Sequence, residues 1–322
     1  MADLPLMNPT TPTHLDYAIP EFWERELIIE AEKKMFWKHF EGPQGSGMPV
    51  IRKDDLTKEP GDQIHVQTLS NLTGSGVSGD TVMTGQEESL RLGQITVTPT
   101  FKRHAVSVNK PARQKANFDT KTAAKGRLAY WLADYIDTQI FTQAVTGRTH
   151  RQYGNSKLNY GSLTTGDEMG LAEVSKAKAA LKFNKALPIQ VNENYSLFCG
   201  VMHSYDAYYL QQDTSTQNWS DYQKYADNRG ELNRLFTGAL GVLDGVILKE
   251  ADNVSYASSK TKSVFFGGEA MADGYSQLPD WIEQVQDYEY LWGVSTSVSF
   301  GTANAVQANI VEVDCYAAQP YV

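Results

Sequence analysis

The chain has 322 residues, 41% hydrophobic and 21% charged, with a formal charge of −9 at pH 7. That composition fits a folded chain long enough for two domains and excludes a disordered polypeptide. A net acidic chain without a long basic block is also a poor sequence-specific DNA reader, because such readers draw their affinity from phosphate contacts.

Residues Met1 to Pro20 contain four prolines and are expected to form an extended arm without a core of their own. The N-terminus lacks the basic-then-apolar pattern of a secretory signal. From Glu21 to Phe40 the residues Phe22, Trp23, Leu27, Ala31, Met35 and Phe40 share one helical face, widened by Ile28, Phe36 and Trp37. A helix this aromatic needs a packing partner, either in its own domain or on a neighbouring subunit. Glu41 to Pro49 reads as a loop.

Ile64 to Leu72 and Leu90 to Val108 read as strands, separated by the Gly-, Ser- and Thr-rich run TGSGVSGDTVMTGQEES. This pattern predicts a long β-hairpin or loop standing off the body. Pro99 demotes the second strand to an edge or kinked strand. A two-stranded arm is marginal alone in water and makes sense chiefly when it lies on another subunit.

Asp119 to Gly147 predicts the longest helix, a spine. Ala124, Leu128, Trp131, Leu132, Tyr135, Ile136, Ile140, Ala144 and Val145 recur at helical spacing. Asp119 is a natural cap and Gly147 a natural left-handed stop. Beyond it, a helix is expected from about Asp167 to Phe183, with Asp167 and Glu168 favouring its start. Tyr195 to Met202 reads as a buried strand, and Ser204 to about Ala226 as mainly helical. Leu235 to Glu250 pairs glycine turns with a strand ending at Leu248. Ser263 to Phe266 reads as a short strand, Gly268 to Tyr275 as a short helix, and Trp281 to Tyr290 leads into a final β region ending in Asn309 to Ala318. Helices and strands do not strictly alternate, so the class is α+β.

Motifs that carry chemistry are weak here. Gly74 to Gly79 matches G-x-G-x-x-G, but the β-prone, glycine-broken run after it lacks the helix that would meet a pyrophosphate, so a flexible loop tip is the better reading. Ser107 to Lys110 fits S-x-x-K without its companion elements. The six histidines fall singly, which gives no support for a zinc site, and no catalytic constellation stands out. Glu87 and Glu88 read as surface or interface charges rather than an acid/base pair. Cys199 and Cys315 sit in apolar surroundings far apart and are expected to be buried free thiols. No window approaches the ~18 consecutive apolar residues of a membrane span.

This order of parts resembles a tailed-phage major capsid protein of the Hong Kong 97 type: an arm, an extended E-loop, a peripheral domain with a spine helix, then an axial domain. More specifically, Gly85 to Leu90, Leu235 to Val246 and Phe266 to Ala270 resemble the capsid family typified by the N-four podovirus. Its most specific feature is the spacing of Gly238, Gly241 and Gly245 among apolar residues. The resemblance implies an α+β, Hong Kong 97-like fold with an arm and first helix at 1–50, an E-loop β-hairpin region at 51–110, and a peripheral domain at 111–165 with its spine at 119–147. A mostly axial domain would follow at 166–303, and a C-terminal strand at 304–322 would return to the peripheral domain.

The resemblance further implies a shell subunit, not an enzyme, that forms hexamers and pentamers around double-stranded DNA. Portal, scaffold and decoration proteins would be further partners, and the virion capsid would be assembled in the bacterial host cytoplasm. No cofactor, metal or membrane is expected. Contact candidates between subunits are Phe22, Trp23, Trp37, Val77, Val82, Met83, Glu87 and Glu88. Rival readings are an encapsulin-like compartment, a tail or decoration protein, and a cytosolic enzyme with an unrecognised site.

Overall fold

A computed structural model describes residues 31, 34–57, 61–69, 74–80, 82–89, 92–116, 119–146, 148, 150–192, 195–212 and 241–321. The chain divides into two compact units. One draws on Met1–Met35, Thr100–Ile136 and Gln277–Ser299; the other on Phe36–Pro99, Asp137–Ser276 and Phe300–Val322. Each is discontinuous in sequence. Among the described residues, no helix is long and apolar enough to cross a membrane.

The strands, in chain order, begin with β1 (Glu41–Gly42), β2 (Val50–Lys53), β3 (Ile64–Leu69), β4 (Leu92–Val97) and β5 (Thr100–Asn109). They continue with β6 (His150–Tyr153), β7 (Ile189–Asn192), β8 (Tyr195–Met202), β9 (Gly241–Leu243) and β10 (Val246–Glu250). The last are β11 (Tyr256–Ala257), β12 (Lys260–Phe266), β13 (Met271–Gln286), β14 (Leu291–Asn304) and β15 (Ile310–Tyr316). The helices are α1 (Lys110–Lys115), α2 (Thr120–Thr146), α3 (Leu171–Phe183) and α4 (Ser204–Gln212).

The larger unit is built on a mixed sheet ordered β6-β15-β12-β8-β10-β9, with β11 on β12 and β7 on β8. Its core joins Val174, Ala177 and Leu181 of α3 and Leu210 of α4 to Phe265, Val311 and Val313. Gly200 of β8 has to be glycine, because a Cβ there would come within 2.6 Å of the Phe265 ring. Asp206 in the first turn of α4 is fully buried and accepts hydrogen bonds from Thr261 Oγ1 (2.6 Å) and Ser263 Oγ (2.5 Å), tying the helix to β12. Both cysteines are buried and free, as their surroundings imply.

In the same unit β3 and β4 form a separate antiparallel pair in unbroken register from Ile64↔Val97 to Leu69↔Leu92. The base of this hairpin is anchored. Ile64, Val66 and Val97 are buried with Ile51 and Ala272, and Gly274 of β13 leaves the space that Ile64 Cδ1 fills, 2.4 Å from where a Cβ would stand. Toward the tip Leu92, Gln94 and Thr96 are exposed. Pro99 does more than kink the second strand: β4 ends at Val97, and β5 starts at Thr100 as the last strand of the order β1-β2-β13-β14-β5. Proline has no N–H to carry a ladder through.

The spine is helical over Thr120–Thr146. Asp119 caps it, accepting from Lys121 N (3.0 Å) and the Thr122 hydroxyl (2.6 Å). The Thr122 bond, ahead of the other contacts, holds this carboxyl below its ordinary range. Ala124, Leu128, Leu132, Ile136, Ile140 and Ala144, four residues apart, are all buried. Trp131 stacks on Tyr135 instead, at a centroid distance of 5.8 Å. The expected stop at Gly147 lies outside the described residues.

Four expectations need correction. Trp37 is not a surface residue awaiting a neighbour: it is fully buried in its own chain, with ring centroids 5.0 Å from Phe141 and 5.2 Å from Phe266. It sits in a 3-10 turn, Trp37–Phe40, rather than at the end of an α-helix. Gly268 to Tyr275 forms no helix, because Met271–Gly274 pairs in parallel with β2; burial of Ala270, Met271, Ala272 and Asp273 together hides the period-two signal a strand usually shows. Asp167 and Glu168 do not open α3, which starts at Leu171 after Gly170; their carboxylates accept from Thr164 N and Gly166 N of the preceding loop. The helix from Ser204 ends, within the described residues, at Gln212. The helix α1 was not anticipated, although Asn109 caps it by accepting from Ala112 N (2.9 Å) and Pro111 lies in its first turn.

Trp37→Ala is expected to lower the subunit's unfolding free energy by roughly 3–5 kcal/mol, the usual cost of emptying an aromatic core site. Urea denaturation checks this; an unchanged midpoint would return Trp37 to the role of a surface contact.

Candidate assembly surfaces

The loop between β3 and β4 carries most of the sequence-predicted contact residues. Residues 74–80 and 82–89 contain neither helix nor strand. A dinucleotide turn would require a helix opening after Gly79, and a turn at Gly79-Asp80 stands there instead. Gly76 and Gly85 take φ of +72° and +87°, a left-handed geometry that glycine adopts without penalty. Val82 and Met83 are 70% and 58% exposed, while Val77 is half-buried. Glu87 and Glu88 are exposed, yet both brace the loop: Gly85 N donates to Glu87 Oε2 and Gly74 N to Glu88 Oε2, each at 2.7 Å. The structure therefore brings five of the eight contact candidates onto one protruding loop and sends Trp37 to the core. Phe22 and Trp23 lie outside the described residues.

The smaller unit presents a surface that periodicity did not reveal. β5 is exposed along almost its whole length, on both faces, with Phe101 56% exposed. The helix α1 that follows buries no residue. The turn between β13 and β14 holds Asp287, Tyr288 and Glu289 at φ of 52°, 48° and 67°, and presents Tyr288 fully to solvent. An open groove of about 500 Å³ beside it is lined by Lys110, Arg113, Gln114, Val285 and Glu289. A local count of charge would have pointed here. Between Thr100 and Phe118 there are five Lys or Arg and no Asp or Glu, in a chain of net charge −9.

In the larger unit two acidic side chains on one face of β15 are buried against two arginines. Arg148 pairs with Glu312, and Arg151 reaches Asp314 Oδ2 at 2.5 Å through Nη2 and Glu312 Oε1 at 3.5 Å. Both carboxyls are fully buried. Burial first, then the neighbouring Asp314, pushes the Glu312 carboxyl up to about 8. The arrangement fixes β6 and the segment after α2 to β15; with no substrate-sized cavity attached to the acids themselves, it reads as structural. Among the described residues no group of three or more His, Cys, Asp or Glu is placed to hold a metal ion.

Residues 13–159 match a family model described as phage capsid protein. The major capsid protein of Pseudomonas phage KPP25 is 23% identical over 333 aligned positions, covering 87% of each chain. Among solved structures, the capsid of Ralstonia phage GP4 superposes with a TM-score of 0.77 at 21% identity, covering 90% of this chain and 93% of that one. The capsid subunit of cyanophage Pam1 gives 0.72 at 18% identity, covering 89% and 93%. These likenesses establish an α+β fold of the Hong Kong 97 capsid type.

The Glu312 pair predicts a pH dependence. Because its folded-state value is raised from 4.5 to about 8, the stability linked to it is fully present below about pH 4.5 and lost as pH rises through 8. Glu312→Gln removes that dependence. Thermal melts of the variant between pH 5 and 9 are expected to fall less steeply than those of the natural sequence; parallel slopes would show that Glu312 is ionised throughout.

Proposed function

We infer that this chain is the major capsid protein of a tailed phage, a subunit whose work is to tile a shell with copies of itself. The observation that carries the reading is the capsid fold along nine-tenths of the chain joined to a hairpin anchored only at its base. The finer features follow as part of the same proposal. Subunits associate into hexamers and pentamers, and the closed shell encloses double-stranded DNA without reading its sequence. A portal and a separate scaffold protein take part, decoration proteins can be added, and assembly takes place in the bacterial host cytoplasm.

The mechanism is mechanical. The β6-to-β9 sheet, with α3 and α4, supplies a rigid body of the kind expected for an axial domain. The spine, β5 and the β13–β14 hairpin supply the peripheral one. The β3–β4 hairpin is the E-loop. A two-stranded ribbon gains too little from its own hydrogen bonds to be held in one conformation by itself, so contact with other subunits fixes its outer half. Permanent assemblies bury thousands of Å² per set of contacts, and closed symmetry repeats every favourable contact around the ring. Net negative charge on each copy opposes association at long range, and salt screens that repulsion beyond ~8 Å at physiological ionic strength. Close contacts therefore decide assembly.

Expression of the chain with its scaffold partner, followed by size-exclusion chromatography and electron microscopy, is expected to yield closed shells. Deleting Gly74 to Gly85 is expected to leave a folded, assembly-defective subunit. Normal shells from the deletion would refute the loop's role, and a natural-sequence chain that stays monomeric would refute the capsid reading itself. DNA recovered from nuclease-treated particles assembled during infection separates a virion shell from an enzyme-filled compartment.

A further inference from the structure

We propose that the acidic tip of the β3–β4 loop of one copy docks along the open edge of β5 in a second copy, with Glu87 and Glu88 set against Lys102 and Arg103 and Val82 and Met83 covering Phe101. The proposal rests on the capsid reading and adds the receiving surface and its charge code.

Three observations support it. First, β5 ends the order β1-β2-β13-β14-β5, so among the described strands one edge of its ten residues has no partner. Long open edges are liabilities that proteins cover or charge. Second, charge is segregated. The stretch from Thr100 to Phe118 has five cationic and no acidic side chains, while Gly74 to Ser89 has three acidic and no cationic ones. Lys110 and Arg113 share a groove with Glu289 in their own unit, whereas Lys102 and Arg103 project from the exposed part of β5. Third, both surfaces present apolar side chains to solvent: Val82 and Met83 on the loop, Phe101 on the strand.

These requirements together select the partner. A polyanion such as nucleic acid would neutralise Lys102 and Arg103 but leave Phe101 and the edge N–H and C=O groups uncovered. An extended acidic peptide with apolar residues satisfies all three, and every copy supplies one in equal number. Sixteen loop residues are also ample to run beside a strand of ten, which spans ~34 Å.

A charge-swap series tests this in the full chain, under conditions where the natural sequence forms shells. Glu87→Lys with Glu88→Lys, and separately Lys102→Glu with Arg103→Glu, are each expected to reduce assembled particles by about tenfold, since like charges placed opposite one another weaken a repeated contact. All four changes in one chain are expected to restore assembly. A second measurement keeps the test clear of folding defects. Chains carrying only Met83→Cys are mixed with chains carrying only Phe101→Cys, and a disulfide-linked dimer is expected on oxidation of the mixed shells and from neither chain alone; the native thiols are buried. Failure of the four-fold swap to rescue, absence of the mixed dimer, or a strip variant that forms shells at full yield but loses packaged DNA would each overturn the proposal. Absence of shells from the natural sequence would instead remove the capsid reading beneath it.

Discussion

An open β edge is a row of unpaired backbone groups, and this chain keeps two pieces of β structure that its own fold satisfies at one end only. The β3–β4 ribbon is wedged at its base, where Ile64 and Val97 enter the space left by Gly274, and loses its packing toward the tip. β5 pairs on one side and is exposed on both faces. Water can hydrogen-bond such groups, but it cannot hold a ribbon in one place or bury Val82, Met83 and Phe101. Contact with other copies meets both needs, so the shell is the natural completion of the fold.

The interior explains how such an outreaching chain keeps a defined body. Asp137 of the spine accepts from the backbone N–H groups of Phe36 (2.9 Å) and Trp37 (3.3 Å). Trp37 then packs between Phe141 and Phe266. One carboxylate and one indole thus fix the turn at 37–40 to both the spine and β12. Farther along, the Arg148–Glu312 and Arg151–Asp314 pairs fix the segment after the spine to β15. Buried ion pairs of this kind add geometry more reliably than they add stability. Stiff joints at these points are what allow a protruding loop to be aimed.

Legibility in the sequence followed burial pattern. The spine could be read because it buries one stripe, every fourth residue from Ala124 to Ala144, and β8 because it is a short apolar run between polar ones. β13 was misread as a helix because both faces of Ala270–Asp273 are covered and Ala and Met suit helices. Trp37 was misassigned because an aromatic residue looks the same in sequence whether it fills a core or an interface. The loop was legible from its glycines and Pro99 from its missing N–H. The receiving strip was not, since the whole-chain charge of −9 conceals a local run of the opposite sign. Counting charge over windows of about twenty residues, rather than over the chain, would have exposed it.

Hydrogen–deuterium exchange of free subunits and of assembled shells tests the central claim most directly. The account predicts that amides of residues 92–109 and of the loop at 74–89 exchange fast in the free subunit and become protected on assembly, while β8, β12 and β15 are slow in both. Equal exchange at 92–109 in the two states would contradict it, because it would mean that the open edge is left uncovered in the shell.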